Sequence, residues 1–180
     1  MIFPNGKYII RFCVRDPDKL WFIWVATQRT GLPPDAKATR IRRESMENGK
    51  IRERHLPDEA FIELINCPAF GTILLRHVET GRYAAVDREL AFLRRAREVS
   101  GQDQMLSFYV TLNQIGLVGR DAEFELFAPT GNKAARLAIR SVGKERFVGV
   151  SGINFLHPIF EDISQATLFK FEPRFVSLDA

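Results

Sequence analysis

Arginine is the residue whose spacing in this 180-residue sequence most suggests a chemical role. It is concentrated in three short stretches, two within residues 40–54 and one within residues 94–97. Guanidinium groups form bidentate contacts with carboxylates and phosphates, so these stretches predict a docking surface for an acidic protein or a polyanion. The predicted partner-binding residues are Arg40, Arg42, Arg43, Arg52, Arg54, Arg94, Arg95 and Arg97.

The alternative for these arginines is an ordinary solvated face. In an extended segment, side chains two residues apart share a face, which would place Arg40 beside Arg42. The same alternation would align the cations at positions 50, 52 and 54. Nearby glutamates weaken the positive field, and these are Glu44, Glu47, Glu53 and Glu98.

Histidine and serine show no pattern typical of catalysis or metal binding. His55, His77 and His157 lie far apart without metal-ligand spacing. We interpret His77, in an apolar column beside Leu75, as a structural residue, and the other two as loop residues. The sequence has no nucleophile elbow and no glycine-rich phosphate loop. It therefore predicts a protein that is not an enzyme and that uses no metal or cofactor.

The composition is typical of a single domain spanning residues 1–180. Hydrophobic residues make up 46% and charged residues 27% of the chain, which is long enough to bury a core without metal or disulfides. The formal charge of +4 permits an anionic partner. Cys13 and Cys67 could form one disulfide at most, and so few cysteines suit a reducing compartment.

The beginning of the sequence shows no export signal, and no apolar run approaches the roughly 20 residues needed to cross a bilayer. We therefore expect a cytoplasmic protein without a membrane span. A mature secreted form is the alternative.

The sequence repeats itself with intervals of 65 and 64 residues, which is the spacing of the arginines Arg11, Arg76 and Arg140. A second column, each member followed three residues later by valine, contains Phe22, Tyr83 and Phe147. A third column closes each unit at residues 58–64, 121–126 and 167–171. We infer three units, at about 1–66, 67–130 and 131–180. The recurring arginines are expected to serve the repeat rather than a ligand.

Each unit also needs a further strand between its hairpin and its closing column. Residues 105–112 are the clearest candidate, and 41–51 and 155–160 are weaker ones. Residues 90–97 fit a strand or a helical turn. Three units of four strands predict an all-β protein with twelve strands in three pseudo-repeats, six strands closing a barrel and three hairpins capping one end, as in a β-trefoil.

Two symmetric core layers are expected in such a barrel. One would contain Ile10, Leu75 and Ile139. The other would contain Phe22, Tyr83 and Phe147. Trp21 and Trp24 lie on opposite faces of one strand, so that one of them could be an exposed anchor, although burial is the commoner fate.

The hairpin at residues 75–86 resembles the segment of fascins and fibroblast growth factors in which a strand, a Gly-Arg or Gly-Lys pair and an aromatic residue recur. Phe124-Glu125-Leu126 followed by Gly131-Asn132-Lys133 also resembles fascins. The unit length is closer to that of β-trefoil protease inhibitors, whose long loops enter the protease. Residues 158–163 are apolar and acidic, where growth factors carry a basic heparin loop. The sequence lacks the Gln-x-Trp triplet that ricin-type lectins place in each repeat.

These resemblances imply a non-enzymatic, monomeric binding protein that recognises a macromolecule, above all a protein, through its loops. A fascin-like, cytoskeletal role with actin as partner is the first hypothesis. A protease inhibitor acting through segments 27–57 and 87–120 is the second hypothesis, and a secreted ligand of growth-factor type is the third.

Overall fold

The computed structural model describes residues 3–13, 21–29, 32–67, 71–79, 81–88, 108–114, 120–129, 136–150 and 156–176. Helical structure in this part of the chain is limited to single 3-10 turns at Arg43–Ser45, Glu53–His55, Asp58–Ala60, Arg120–Ala122 and Ile163–Gln165. The strands are β1 Gly6–Cys13, β2 Trp21–Arg29, β3 Leu32–Ile41, β4 Met46–Glu47, β5 Lys50–Ile51, β6 Phe61–Cys67, β7 Thr72–His77, β8 Tyr83–Arg88, β9 Phe108–Gln114, β10 Phe124–Phe127, β11 Leu137–Ser141, β12 Arg146–Val150, β13 Leu156–Phe160 and β14 Leu168–Val176. The all-β prediction is confirmed.

Six strands form a closed ring of antiparallel pairs. Going around the ring, β1 pairs with β6, β6 with β7, and β7 with β10. The ring continues from β10 to β11 and from β11 to β14, and β14 returns to β1. Closure leaves none of these strands as a free edge, and alternate side chains point into a shared interior.

Three further antiparallel pairs extend from this ring, namely β2 with β3, β8 with β9, and β12 with β13. Each joins the ring through its first strand, because β2 pairs with β1, β8 with β7 and β12 with β11. The extra strands predicted at 105–112 and 155–160 correspond to β9 and β13. Residues 90–97 lie outside the described residues.

The strand predicted at 41–51 is wrong. Ile41 ends β3, a 3-10 turn follows, and β4 and β5 then form a separate two-stranded hairpin. The physical reason is the Asn48-Gly49 pair, whose φ angles of +49° and +73° reverse the chain within two residues. Asn-Gly is the sequence that favours such a hairpin turn, because both residues tolerate positive φ.

The main core fills the barrel. Ile10, Leu75 and Ile139 are each fully buried in it, which confirms the first predicted layer. The second predicted layer is wrong, because the strand register of the first hairpin differs from that of the other two. Arg76 pairs with Tyr83 and Arg140 with Phe147, whereas Arg11 pairs with Ile23.

Residues opposite each other in an antiparallel pair share a face, so Tyr83 and Phe147 lie on the face of the arginines. The next residue along each strand points into the barrel instead. The inward-facing residues are Trp24, Ala84 and Val148. Trp24 is therefore core, and it is not an exposed anchor.

A second apolar cluster lies on the other face of β1 and β2. Ile9, Ile23 and Val25, which alternate with barrel residues, pack there with Ile41 and Ile51. Ala60 and the partly buried Met46, Leu56 and Phe61 complete it. Residues 41–61 thus cover the outside of the barrel, and this cover carries many of the predicted partner-binding arginines.

Candidate functional site

The basic segment, residues 40–54, is the part of the described chain with the densest positive charge. It contains six cations and three glutamates, against a formal charge of +4 for the whole protein. Arg40, Arg42, Lys50 and Arg54 are exposed, and Arg52 is half-buried. The surface is therefore accessible to a partner and strongly biased towards anions.

Arg40 and Arg42 lie on either side of buried Ile41 and are both exposed, as the alternation predicts. The predicted common face of Lys50, Arg52 and Arg54 is wrong. Lys50 belongs to β5, but Glu53–His55 is a 3-10 turn, which rotates Arg54 away from an extended path.

Four of the predicted arginine side chains cannot be placed with the others. Arg94, Arg95 and Arg97 lie outside the described residues. Arg43 begins a 3-10 turn, and its side chain is likewise not described. The predicted arginines whose side chains the structure describes are Arg40, Arg42, Arg52 and Arg54, and all four lie in the basic segment.

Local carboxylates offset part of this charge. Arg42 Nη1 lies 3.9 Å from Glu44 Oε1, and Arg52 Nε lies 3.6 Å from Glu47 Oε2. Both distances are long and both glutamates are exposed, so these pairs hold the arginines weakly and can exchange for a partner's carboxylates.

Lys170 and Arg136, which the sequence does not link to the basic segment, add to the same positive field. Burial and the guanidinium of Arg11 lower the pKa of Lys170. The charges of Arg136 and Lys50 lower it further, and the charge of Glu172 opposes them by raising it. Lys170 lies on β14, which is remote from the basic segment in sequence. Only the closure of the barrel brings these residues within electrostatic reach of each other.

The basic segment is anchored by a buried ion network. Arg11 and Glu172 are 2% and 3% exposed, with 3.1 Å between Nε and Oε2. Arg174 Nη2 lies 2.5 Å from Glu172 Oε1. The same two arginines donate to the backbone of the β4–β5 hairpin, Arg11 to the carbonyl of Gly49 and Arg174 to that of Ile51 at 2.8 Å.

The three recurring arginines all pair with a glutamate on the preceding ring strand. Arg76 bonds to Glu63 with 2.7 Å between Nε and Oε2, and this hydrogen bond raises the pKa of Arg76. Arg140 Nη1 lies 3.8 Å from Glu125 Oε2. Arg11 and Glu172 are the third pair. These contacts agree with the predicted structural role of the arginines.

The histidines and Cys67 show no ligand site. His77 is fully buried, as predicted. Burial lowers its pKa, and the charge of Glu59 raises that pKa by a smaller amount. His157 is also buried, and it lies in β13 opposite Gly149, so its prediction as a loop residue is wrong.

Cys67 is a free thiol, so the one possible disulfide is not formed. Among the described residues, no cluster of three potential metal ligands occurs.

Comparison with solved structures identifies the fold. The lectin of Polyporus squamosus, described with the bound epitope Neu5Acα2-6Galβ1-4GlcNAc, superposes with a TM-score of 0.60 at 12% identity over 96% of this chain. This chain spans 50% of that lectin. A salivary protein from Culex quinquefasciatus, of the cysteine- and tryptophan-rich family, has a TM-score of 0.62 at 11% identity over 96% of both chains.

The ring of six strands and these similarities define a β-trefoil-like protein. No protein-family model matches the sequence, and no curated protein matches it. The resemblance to fascins and growth factors thus stays a prediction. Within the described residues, no helix is long and apolar enough to span a membrane.

Proposed function

We propose that this β-trefoil-like protein is a non-enzymatic binding protein that docks an acidic macromolecule, in the first place a protein, on the basic segment. The proposal includes the full trefoil arrangement of twelve strands in three pseudo-repeats. Cytoplasmic location and a monomeric state remain predictions that accompany it.

The observation that carries the proposal is an exposed cationic surface on an ordered support. Long flexible arginine loops lose conformational entropy when they bind, whereas a prearranged surface loses less. Here the backbone of the segment is tied to the barrel at Gly49 and Ile51, while Arg40, Arg42 and Arg54 remain exposed. Cations held in this way favour a partner with fixed carboxylates, as on a protein surface.

Heparin provides a first probe of the surface. The triple variant R40Q/R42Q/R54Q is expected to elute from a heparin column at clearly lower salt than the wild type, because exposed charge interactions are screened within about 10 Å at 0.1 M salt. The variant K7Q/K144Q/R146Q removes the same charge elsewhere and should elute close to the wild type. Equal elution of all three proteins would exclude the basic segment as the anion-binding surface.

The variant R94Q/R95Q/R97Q tests the second predicted arginine stretch in the same assay. A larger loss for this variant than for R40Q/R42Q/R54Q would move the proposed surface to residues 94–97.

The nature of the partner is tested with the same proteins. Cosedimentation with filamentous actin examines the fascin-like hypothesis, and inhibition of serine and cysteine proteases examines the inhibitor hypothesis. Growth-factor-like activity requires heparin binding that persists at ordinary salt. In each assay, the expected partner binds the wild type and loses affinity for R40Q/R42Q/R54Q.

Glycan binding is a second candidate function, favoured by one aromatic residue. Phe127 is the exposed large apolar side chain of the described residues, at 38%, and its ring packs edge-on against Phe147 at 5.7 Å. The half-buried Glu125 shares β10 with Phe127, and the half-buried Arg140 on β11 lies opposite Glu125 on one side and Phe147 on the other. An aromatic face beside a guanidinium and a carboxylate can stack on a sugar ring and bond to its hydroxyls. The Polyporus lectin was described with an epitope that contains an acidic sugar.

A glycan array that includes neutral and sialylated oligosaccharides tests this candidate. F127A should abolish binding, and F127L, which keeps an apolar side chain without an aromatic face, should reduce it strongly. Binding that is unaffected by F127A would exclude this surface.

A further inference from the structure

We propose that Glu172 is a positioning residue for the basic segment: its buried carboxylate holds two arginines, and these fix the backbone that presents Lys50 and Arg52. This inference deepens the proposed function and rests on it for the meaning of the surface. The positioning itself can be measured without any ligand.

The first step is the geometry of the contacts that link Glu172 to the hairpin. Glu172 contacts Arg11, which donates to the carbonyl of Gly49. It also contacts Arg174, which donates to the carbonyl of Ile51. Gly49 and Ile51 flank Lys50 in the chain. The backbone is therefore tied on both sides of Lys50 and directly before Arg52.

The second step is charge. Arg11 is 2% exposed and Arg174 is 11% exposed, so two guanidinium groups share the buried carboxylate of Glu172. Glu53 also approaches Arg174, at 3.7 Å, but it is 68% exposed and therefore a weak counter-charge. Neutralising Glu172 would remove the buried carboxylate that these two cations share, which is much more costly than replacing all three side chains by apolar ones.

The third step is the contrast with the equivalent pairs of the ring. Arg76 and Glu63 are 39% and 29% exposed, and Arg140 and Glu125 are 27% and 30% exposed. Water can solvate those charges when a partner is removed. Only the pair of Arg11 and Glu172 is both fully buried and bonded through its arginine to the β4–β5 hairpin. Glu63 thus offers a control, a glutamate that pairs with a ring arginine from directly across the strand pair, whereas Glu172 lies opposite Ile9 and diagonal to Arg11.

The experiment compares amide hydrogen exchange in full-length wild type, E172Q and E63Q. The reporter is the amide of Arg52, which donates to the carbonyl of Ser45 at 2.8 Å across the base of the β4–β5 hairpin. E172Q should speed exchange of this amide by about ten-fold or more, while β7 and β11 stay protected. E63Q should leave the amide of Arg52 unchanged. Equal acceleration in both variants, or none in E172Q, would overturn the proposal.

A second variant keeps the test decisive if E172Q does not fold. R11M/E172M/R174M replaces the three charges of the network together by apolar side chains, so the barrel should remain folded, while both donors to the hairpin are lost. Rapid exchange at Arg52 in this folded variant supports positioning by the network. Wild-type protection at Arg52 would contradict it.

Heparin affinity then separates the two proposals. If the wild type binds heparin, both variants should bind it about three-fold or more weakly, because the cations are no longer prearranged. If the wild type does not bind heparin, the anion-binding function fails, and the exchange data alone decide whether Glu172 positions the segment. Faster exchange together with unchanged heparin affinity would refute a functional role of this positioning.

Discussion

Gly81 and Glu145 occupy matching turns of the second and third hairpins, and both have positive φ, +68° and +55°. The amide of Gly81 donates to the carbonyl of His77, and that of Glu145 donates to Ser141 in the same way. Glycine tolerates this conformation, whereas a residue with a Cβ atom pays about 1–2 kcal/mol for it.

We expect E145G to stabilise the protein by about 0.5–1 kcal/mol, because relief of the strained φ exceeds the entropy cost of glycine. G81A should destabilise it by about 1 kcal/mol for the converse reason. Urea unfolding of both variants measures these changes. A loss of stability in E145G would show that the side chain of Glu145 contributes more than its backbone strain costs.

We expect His77 to make the stability of the protein depend on pH. Burial lowers its pKa in the folded state, so it stays neutral there while an unfolded chain takes up a proton below a pH of about 6.5. Its contribution is fully present above the unfolded pKa and is lost as the pH falls towards the folded pKa. The slope from this one residue is at most about 1.4 kcal/mol per pH unit.

The variant H77Q should therefore lose less stability than the wild type between about pH 7 and pH 5. Urea unfolding across this range is the measurement. H55Q, which changes an exposed histidine, is the control and should follow the wild type. Parallel curves for H77Q and the wild type would show that His77 does not cause the dependence.

At the scale of elements, the β4–β5 hairpin depends on Gly49 for its turn and on Ile51 for its attachment. Gly49 has a φ of +73°, and no atom lies within 4 Å of where its Cβ would be. G49A is thus strained by its backbone alone, and we expect a cost of about 1 kcal/mol. Exchange of the Arg52 amide should become faster, while the free energy of global unfolding falls by no more than this strain of about 1 kcal/mol. A larger fall would instead show that the stability of the barrel depends on the hairpin.

The sequence predicts the elements that repeat and fails where one unit differs from the others. The strands around Arg76 and Arg140 recur at the interval of 64 residues, and the structure has them as β7 and β11. Residues 41–51 form part of a cover found in the first unit, so no repeat could reveal it. Asn48-Gly49 was the available signal, and it indicates a turn that an unbroken strand cannot contain.

The candidate site shows a similar limit. The exposed arginines of the basic segment are visible as a local charge pattern, because charge needs no tertiary information. Glu172 and Arg174 lie more than a hundred residues away, and the sequence gives no indication that they contact Gly49 or Ile51. Their contribution arises from the pairing of β1 with β14, which closes the ring. Long-range pairing of this kind has no short-range sequence signature.

At the scale of the whole molecule, two apolar clusters divide the protein into a barrel and its cover. The barrel cluster draws residues from every ring strand, so its loss affects all of them at once. The outer cluster joins β1 and β2 to residues 41–61, which are continuous in sequence. A sequence-local cover can open while the ring remains closed, and this predicts two levels of stability.

Truncation of one residue in each cluster tests this division. Leu75 is fully buried in the barrel and Ile51 is 3% exposed in the outer cluster, so each loses a comparable apolar area on change to alanine. L75A should lower the free energy of unfolding by about 2–5 kcal/mol and accelerate exchange in all ring strands. I51A should accelerate exchange mainly at Ser45 and Arg52 and have a smaller effect on global unfolding, because the opened cover exposes its remaining residues without breaking the ring. The measurement is residue-resolved hydrogen exchange together with urea unfolding. Uniform acceleration throughout the chain in I51A would mean that barrel and cover unfold as one unit, and the basic segment would then be as stable as the core beneath it.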